Sequence, residues 1–262
     1  MNRISILLAL GFSLGALAEG KDVKRPDGPK PAPGVNWEGQ VLKATGSGAP
    51  DMKATSPAQA RLGAEMAAKM DAFRNLISQV KGIQVSAGKT VGDAMAKDEI
   101  RGKVEGVIRG YRVTGKRYFS DNGVELDVEV PLAVLTELVV EPSGTAVTVK
   151  SDGEKKNTGL VVDARGLGVK PALAPRLTDD AGKELYGVDC LSAETRKTTA
   201  VAAYVRSVDD AKKTQLVGDK PLVLKASKTN GTDLVLAADD VKKLAESNNS
   251  YLAEGRVVIV AN

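Results

Sequence analysis

The feature that most constrains this sequence is one long amphipathic helix, predicted over residues 56–82. Ser56 and Pro57 suit the N-cap and the first turn of a helix, and Gln59 completes a capping box. Gly82 supplies a stop. At about 100° per residue, the bulky apolar side chains fall within one sector about 80° wide. They are Leu62, Met66, Met70, Phe73, Ile77 and Val80. The pattern predicts a helix whose bulky stripe packs on a sheet.

The opposite side of this helix carries small residues and one carboxylate, namely Ala60, Ala64, Ala67 and Asp71. Alanine is the best helix former, so a face open to solvent accounts for the alanines. Small side chains also allow two backbones to approach closely, and the approaching surface would be a second domain or another copy of the chain. Both interpretations stay open, and these four residues form a candidate interaction surface.

A small antiparallel sheet is predicted to accompany the helix in the first domain. One strand is predicted over Trp37–Thr45, and Gly46-Ser47-Gly48 is expected to end it. Residues 104–119 predict one long strand or two bent strands, since glycines interrupt the run. Ser120–Gly123 ("SDNG") is typical of a hairpin turn, because Asn-Gly tolerates positive φ angles. Residues 124–132 ("VELDVEVPL") predict the next strand.

That last strand alternates apolar and acidic residues, so one of its faces carries a row of carboxylates. Such a row occurs in metal or catalytic sites, but exposed faces of antiparallel sheets are also charged. We favour the second interpretation, a solvated face balanced by cations of the partner strand. The acidic residues are Glu125, Asp127 and Glu129, and the expected cations are Arg112, Lys116 and Arg117.

A polar stretch at residues 142–157 is predicted to link the first domain, residues 35–141, to a second one, residues 158–262. The second domain is predicted to be a smaller α/β or α+β unit. Its predicted strands are Thr158–Ala164, Leu222–Ala226, Asp233–Leu236 and Arg256–Val260, and its predicted helix is Ala238–Asn248. The chain as a whole is therefore assigned to the α+β class.

Two stretches contain fragments of nucleotide-binding motifs. "SAGKTVGD" includes Gly88-Lys89-Thr90, but Ile83 stands where a phosphate-binding loop requires glycine. "VVDARGLGVKPALAPRL", residues 161–177, lacks the third glycine of a dinucleotide-binding turn. Neither stretch predicts nucleotide binding. In the second stretch, Asp163 and Arg165 share a strand face, and an ion pair or a partner contact explains them equally well, so both join the candidate interaction surface.

The chain contains no histidine and a single cysteine, Cys190. The missing histidines exclude Ser-His-Asp and Cys-His catalysis and the usual zinc sites. We expect Cys190 to be a small buried side chain rather than a reactive thiol. The net charge of +4 is interspersed and aromatic residues make up 3%, which argues against nucleic-acid binding. The composition predicts no enzyme, no cofactor and no metal site.

The first eighteen residues have the features of a secretory signal peptide. Arg3 precedes a short apolar run, and the small residues Ala16 and Ala18 predict cleavage after Ala18. Residues 19–34 ("EGKDVKRPDGPKPAPG") predict an extended, solvated leader. No later stretch is long and apolar enough to cross a membrane. We therefore expect a periplasmic protein, with a peripheral position at the outer membrane as one option.

Five segments of the first domain, spanning roughly residues 36–135, resemble the LPP-type (twenty-kilodalton) lipoprotein family. They are "NWEGQVLKATGSGAP", "ARLGAEMAAKMDAFRNL", "KGIQV", "VEGVIRGYRV" and "DNGVELDVEVPL". The domain is also similar to the N-terminal domain of FlgT and to FlgP. The resemblance implies one long helix across a small antiparallel sheet, without catalytic residues. It also implies work in the cell envelope, where some relatives build rings around the flagellar motor. The lipid-acceptor cysteine of the family is absent here.

Together these features predict a non-enzymatic envelope protein with a structural or assembly role, at the outer membrane or the flagellar basal body. Its expected partners are other envelope proteins or a second copy, and no nucleic acid. The alternative is a periplasmic module that binds a small ligand or the cell wall. A pocket with converging polar groups would favour that alternative, whereas a flat surface suited to assembly would favour the first function.

Overall fold

The computed structural model describes residues 34–144, 147, 149–246 and 248–261. The predicted signal peptide, and the predicted leader except Gly34, lie outside the described residues. In chain order the first half contains β1 (Gly34–Asn36), β2 (Val41–Gly48), α1 (Pro57–Lys81), β3 (Gln84–Ser86), β4 (Lys89–Thr90), α2 (Val91–Ala94), α3 (Asp98–Arg109), β5 (Arg112–Tyr118), β6 (Val124–Pro131) and α4 (Leu132–Val139).

The second half contains all four of its predicted strands and its predicted helix, together with shorter elements that the sequence pattern missed. The elements are β7 (Gly159–Asp163), β8 (Leu177–Thr178), β9 (Glu184–Tyr186), α5 (Ala193–Thr198), β10 (Ala203–Val205), α6 (Val208–Lys213), β11 (Pro221–Asn230), β12 (Asp233–Leu236), α7 (Ala238–Glu246) and β13 (Val257–Val260). Short 3-10 helices cover Val188–Cys190 and Ser250–Leu252.

The described strands form two main sheets and one small hairpin. The first sheet is antiparallel, in the order β1-β2-β6-β5, and the second runs β10-β13-β7-β11-β12-β8-β9. In the second sheet β10, β13, β7 and β11 are parallel to one another. The central strands β7 and β13 are buried along almost their whole length, as is usual for parallel strands covered on both faces. The predicted fold, a long helix on an antiparallel sheet followed by a second α/β unit, is confirmed.

The long helix packs on the sheet with the face opposite to the one predicted. The residues of α1 that are buried are Ala60, Ala64, Ala68, Ala72, Leu76 and Val80. Of the predicted bulky stripe, Leu62, Met66 and Met70 are instead 66–68% exposed, Phe73 and Ile77 reach the core part-way, and Val80 is fully buried as predicted. The expectation that the bulky stripe covers the sheet is therefore wrong for its N-terminal half, and the alanine face takes its place.

Two glycines of β2 explain this reversal. A Cβ atom added to Gly46 would lie 2.2 Å from the carbonyl oxygen of Ala68, and one added to Gly48 would lie 1.9 Å from that of Ala64. The backbones of α1 and β2 thus approach too closely for a methionine or leucine side chain to fit between them. These glycines lie within β2 rather than ending it, and their two-residue spacing places both under the helix.

The predicted strand over residues 104–119 is wrong in its first part, which forms the C-terminal half of α3. Val104 and Ile108 are buried at the four-residue spacing of a helix. The first turn of α3 is acidic and its last turn contains Arg109, an arrangement that suits the helix dipole. Gly106 points to open space, so its small size does not mark a strand bend. The predicted hairpin turn does join β5 to β6, with Asn122 at a φ of 67°.

The acidic row of β6 is buried and not solvated. Glu125 and Asp127 are each 4% exposed, and Glu129 is 9% exposed. The guanidinium of Arg117 lies across the first two carboxylates, with its Nη2 2.8 Å from Asp127 Oδ1. Arg112 pairs with Glu129, as the register of β5 against β6 requires. The predicted arginine partners are thus correct, but their side chains cover the row and remove it from water.

Lys116, the third expected partner of the acidic row, binds elsewhere. Its ammonium lies 2.9 Å from Glu65 of α1. In the β5–β6 register Lys116 stands opposite Leu126 rather than opposite an acidic residue. The hydrogen bond from Lys116, followed by that from Lys69, lowers the pKa of Glu65. This pair therefore ties the sheet to the outer side of the helix.

The two halves of the chain share a packed interface. The backbone N–H groups of Leu173 and Ala174 donate to the carbonyls of Gln84 and Val85, at 2.9 and 3.0 Å, so this segment extends β3. The side chains of Leu173 and Ala200 belong to the core of the first half. The stretch at residues 161–177 that resembles a dinucleotide turn is therefore, at its C-terminal end, a strap between the halves.

An aromatic pair makes a second connection between the halves. Trp37 meets Tyr204 edge to face, with ring centroids 5.4 Å apart. The backbone N–H of Tyr204 donates to the Trp37 carbonyl at 3.4 Å, and its hydroxyl contacts the backbone of Ala172. Complete burial raises the pKa of Tyr204, so its hydroxyl stays protonated at neutral pH.

Within the described part of the chain, every helix is too short or too polar to pass through a lipid bilayer. The predicted absence of a transmembrane helix therefore holds for these residues.

Replacing Gly46 by alanine tests the contact between helix and sheet. We expect Gly46→Ala to lower the free energy of unfolding by about 3 kcal/mol, because the new methyl group forces α1 away from β2. Urea denaturation measures this change. The matched control, Gly106→Ala in α3, adds the same methyl group in open space and should stabilise the chain by about 0.5–1 kcal/mol. Equal effects of the two substitutions would contradict the proposed packing.

Replacing Arg117 by methionine tests the buried acidic row. We expect Arg117→Met to reduce the free energy of unfolding by about 3 kcal/mol, since two buried carboxylates lose their cation. Lys103→Met serves as the control, because Lys103 and its partner Glu99 are both more than half exposed. This control should melt at nearly the wild-type temperature. A wild-type melting temperature for Arg117→Met would show that the arginine does not stabilise the row.

Candidate functional site

The outer face of α1 is an exposed apolar surface. Leu62, Met66 and Met70 follow one another at four-residue spacing, and each is about two-thirds exposed. Gly63 and Ala67 flank this row and are also exposed, so the side chains on that side of the row are small until Arg74. We call Leu62, Met66 and Met70 the methionine stripe. Isolated apolar residues on a surface are ordinary, but three adjacent ones on a rigid helix indicate a contact surface.

The four helix residues of the candidate interaction surface have different environments. Ala60 and Ala64 are buried against the sheet of the same chain, so neither can contact a partner. Ala67 is exposed. Asp71 is half-buried, and its Oδ2 accepts hydrogen bonds from the Ser47 backbone at 2.9 Å and from the Asn75 amide at 3.2 Å. Asp71 therefore fixes the helix to the end of β2, which is a structural role.

The remaining two residues of the candidate surface form an ion pair in the second half of the chain. Arg165 Nε lies 2.9 Å from Asp163 Oδ1, and Arg165 Nη2 lies 2.7 Å from Asp163 Oδ2. This hydrogen bonding lowers the pKa of Asp163. Of the two interpretations left open by the sequence, the structure supports the ion pair. No contact among the described residues joins this pair to the face of α1.

A large cleft lies between the two halves of the chain. Its volume is about 780 Å³, which is sufficient for a small organic molecule. One wall comes from β3, β4 and the neighbouring ends of α3 and α4, and the other from the segment 174–189. Apolar side chains that line the cleft come from both walls: Val85, Ile100, Leu138, Val139, Val140, Ala174 and Val188. Clefts between structural units are common ligand sites.

Three lysines converge on this cleft from three separate segments. Lys89 belongs to β4, Lys97 precedes α3, and Lys183 lies in the turn between β8 and β9. All three side chains are exposed, and none forms an ion pair with a carboxylate among the described residues. Arg176 also lines the cleft, but its guanidinium is held by the buried carboxylate of Asp233, with Nε 3.0 Å from Oδ2.

The carboxylates of the cleft are partly engaged by the protein itself. Asp189 accepts hydrogen bonds from the backbone N–H groups of Ser143 and Gly144, at 3.1 and 3.4 Å, and from the Ser143 hydroxyl. Glu184 is half-buried beside Arg176. Burial raises the pKa of Glu184, while the arginine lowers it and the nearby acidic residues raise it further. A half-buried carboxyl with a raised pKa in a cleft is a feature of many binding sites.

A smaller cavity of about 240 Å³ adjoins the cleft between α4 and α5. It shares Val140 and Val188 with the large cleft and is otherwise lined by Thr136, Glu137, Pro142, Leu191, Ala193, Arg196, Lys197 and Thr199. The two cavities together follow the boundary between the halves of the chain.

Of the three lysines, sequence reasoning named only Lys89, within the rejected phosphate-loop fragment. In the structure Lys89 lies in a tight hairpin, and Thr90 caps the short helix α2 through a capping box with Asp93. Lys97 and Lys183 were not identified, because they lie far apart in the sequence and in no motif.

A metal site is also not indicated, as no group of three or more acidic or cysteine side chains among the described residues is arranged to hold one.

Comparison with known families adds one finding. Residues 159–262 match a family model described as the second domain of Tp0624 from Treponema pallidum. The match begins at the first residue of β7 and covers the second sheet, but less than half of the chain. No curated protein matches the sequence. The second half is thus similar to a domain found in another protein, and that description does not name an activity.

The thiol of Cys190 should be unreactive in the folded protein. Burial raises its pKa to about 11, so that little thiolate exists at pH 8. We expect a disulfide reagent such as DTNB to modify the native chain at least about 100-fold more slowly than the urea-unfolded chain, because the two-unit rise in pKa lowers the thiolate fraction by that factor. Rapid labelling of the native protein would instead identify Cys190 as an accessible nucleophile.

Proposed function

We propose that this protein is a non-enzymatic component of the cell envelope that works by association with a second copy of itself. The observation that carries the proposal is the methionine stripe. Glycine contacts fix the helix on its own sheet, and this leaves Leu62, Met66 and Met70 exposed to water. Exposure of adjacent apolar side chains is unfavourable unless a partner covers them. Polar residues at these positions would keep the same fold.

The sequence of α1 is compatible with antiparallel pairing of two copies about Met66. Such a pairing places Leu62 of one copy opposite Met70 of the other and brings the two Met66 side chains together. Glu65 and Lys69 lie on one flank of the stripe, on either side of Met66 along the helix. In this pairing Glu65 lies about equally far along the helix from Glu65 and from Lys69 of the other copy, and within its own chain it is paired with Lys69 and Lys116. The contact would therefore depend on the apolar stripe and not on charges along this flank.

Other features of the chain support an envelope location for this assembly. Residues 1–18 have the pattern of a signal peptide, which supports export to the periplasm. The resemblance of residues 36–135 to the LPP-type lipoprotein family supports a structural role at the outer membrane or the flagellar basal body. The composition, without histidine and with one buried cysteine, supports a function without catalysis.

The proposal is tested by the oligomeric state of the mature chain, residues 19–262, in light scattering coupled to size-exclusion chromatography. We expect the wild type to form a dimer or a larger assembly. Met66→Lys should shift it to the monomer, because two lysine ammonium groups cannot share the centre of an apolar contact. Met70→Lys should act in the same direction.

Met52→Lys provides the matched control. Met52 is 92% exposed and lies before α1, outside the stripe, so its replacement should leave the oligomeric state unchanged. Circular dichroism verifies that all variants keep the native fold. A wild type that remains monomeric at the highest attainable concentration would refute self-association through the stripe. Dissociation of the Met52→Lys control to the same extent as Met66→Lys would also refute it.

The second candidate function is the small-ligand or cell-wall binding module. The specific observation that favours it is the cleft between the halves of the chain, where charged groups and apolar side chains converge. The two candidates use different surfaces, so one molecule can perform both.

A further inference from the structure

We infer that the cleft between the two halves binds an amphipathic carboxylate, a molecule with an apolar body and at least one carboxylate group. The ligand is identified by the three lysines and the apolar walls that face one another across the cleft. This inference goes beyond the proposed self-association and does not depend on it, because the cleft and the methionine stripe share no residue.

The sign of the ligand charge follows from the groups that the protein leaves unpaired. Lys89, Lys97 and Lys183 form no ion pair among the described residues. Hydrogen bonds lower the pKa of Asp93 and that of Glu99, and the charges of Lys89 and Lys97, respectively, lie near enough to lower these pKa values further.

Two other charged groups of the cleft are held by the protein itself, Asp189 by the loop at residues 143–144 and Arg176 by Asp233. The cleft is also lined by Glu141, which is exposed, and by Glu184, which is half-buried beside Arg176. The three lysines outnumber these two carboxylates, so the net charge that remains is positive and favours an anion.

The apolar body of the ligand follows from the side chains between these lysines. Ile100, Leu138 and Val140 are each only partly buried and line the cleft. A small, fully hydrated anion would leave them in contact with water. An apolar chain would cover them, and each methylene group buried contributes about 0.8 kcal/mol. The apolar walls and the lysines together thus favour a ligand that has both an apolar body and a negative charge.

A phosphate group is a poorer fit than a carboxylate. Phosphate sites usually use helix N-termini or the forked guanidinium of arginine. Helix α3, at the edge of the cleft, begins with Asp98 and Glu99, whose negative charges oppose any anion there and oppose a doubly charged phosphate more than a singly charged carboxylate. The one arginine of the cleft, Arg176, is already bound to Asp233. The lysine ammonium groups can bind either anion. The apolar walls decide between the two, because they suit the carboxylate of an acyl chain or of a peptide C-terminus better than a compact, hydrated phosphate.

Isothermal titration calorimetry on the mature chain tests the inference with defined probes. The probes are octanoate, acetyl-trileucine with a free carboxylate, their neutral amides, and inorganic phosphate. We expect at least one carboxylate probe to bind, and to bind about tenfold more tightly than its amide, since the amide loses the charge-assisted hydrogen bonds to lysine. Preference for octanoate identifies an acyl carboxylate, and preference for the tripeptide identifies a peptide carboxylate.

The lysines are tested by the triple variant Lys89→Ala, Lys97→Ala, Lys183→Ala. We expect it to bind the preferred probe at least about tenfold more weakly and to unfold at the wild-type temperature. The control variant Lys53→Ala, Lys212→Ala, Lys220→Ala removes the same charge from exposed positions outside the cleft and should bind like the wild type.

Three results would overturn the inference. They are the absence of binding by both carboxylate probes, equal affinity for a carboxylate and its amide or for phosphate, and equal loss of affinity in the two triple variants. None of them bears on the oligomeric state, so this inference and the proposed self-association can fail separately.

Discussion

Direct contact between the backbones of α1 and β2 determines most of what the first half of this chain can do. Gly46 and Gly48 allow the helix to lie on the sheet with only alanine methyl groups at the contact. As a result, the side of α1 that faces the sheet carries small residues, and the bulky side chains of its N-terminal half face solvent. The methionine stripe is therefore a geometric consequence of the glycine contact, and the two features depend on each other.

Strand β6 connects this contact with the opposite face of the sheet. Its apolar side chains, among them Leu126 and Val128, join the core beneath α1, while its carboxylates lie under arginines on the other side. A shift of register by one residue would place carboxylates beneath the helix, where no cation faces them. Because both faces of β6 are buried, only one register of this strand satisfies them. Its alternating sequence resembles that of a half-exposed strand, but the register is fixed more strongly than in such a strand.

The sequence predicts elements well where a periodic pattern decides them, and fails where close packing decides. Helix α1, strands β6, β7 and β12 and the Asn122 turn follow from local pattern and turn chemistry. The orientation of α1 does not follow from its own hydrophobicity, because steric fit between glycine and alanine outweighs burial of methionine. Two spacings in the sequence together indicate which face of α1 packs on β2. They are the two-residue spacing of Gly46 and Gly48 and the four-residue spacing of Ala64, Ala68 and Ala72. The cleft lysines carry no signal at all, since only the docking of the two halves brings them together.

The strap formed by Leu173 has a consequence for how the molecule is made. Leu173 and Ala200 complete a core whose other members all precede residue 140, so that core stays open until the chain has been synthesised well past its midpoint. Until then, the early part lacks two of the buried side chains of its core. Such an arrangement couples completion of the first core to synthesis of the second half of the chain.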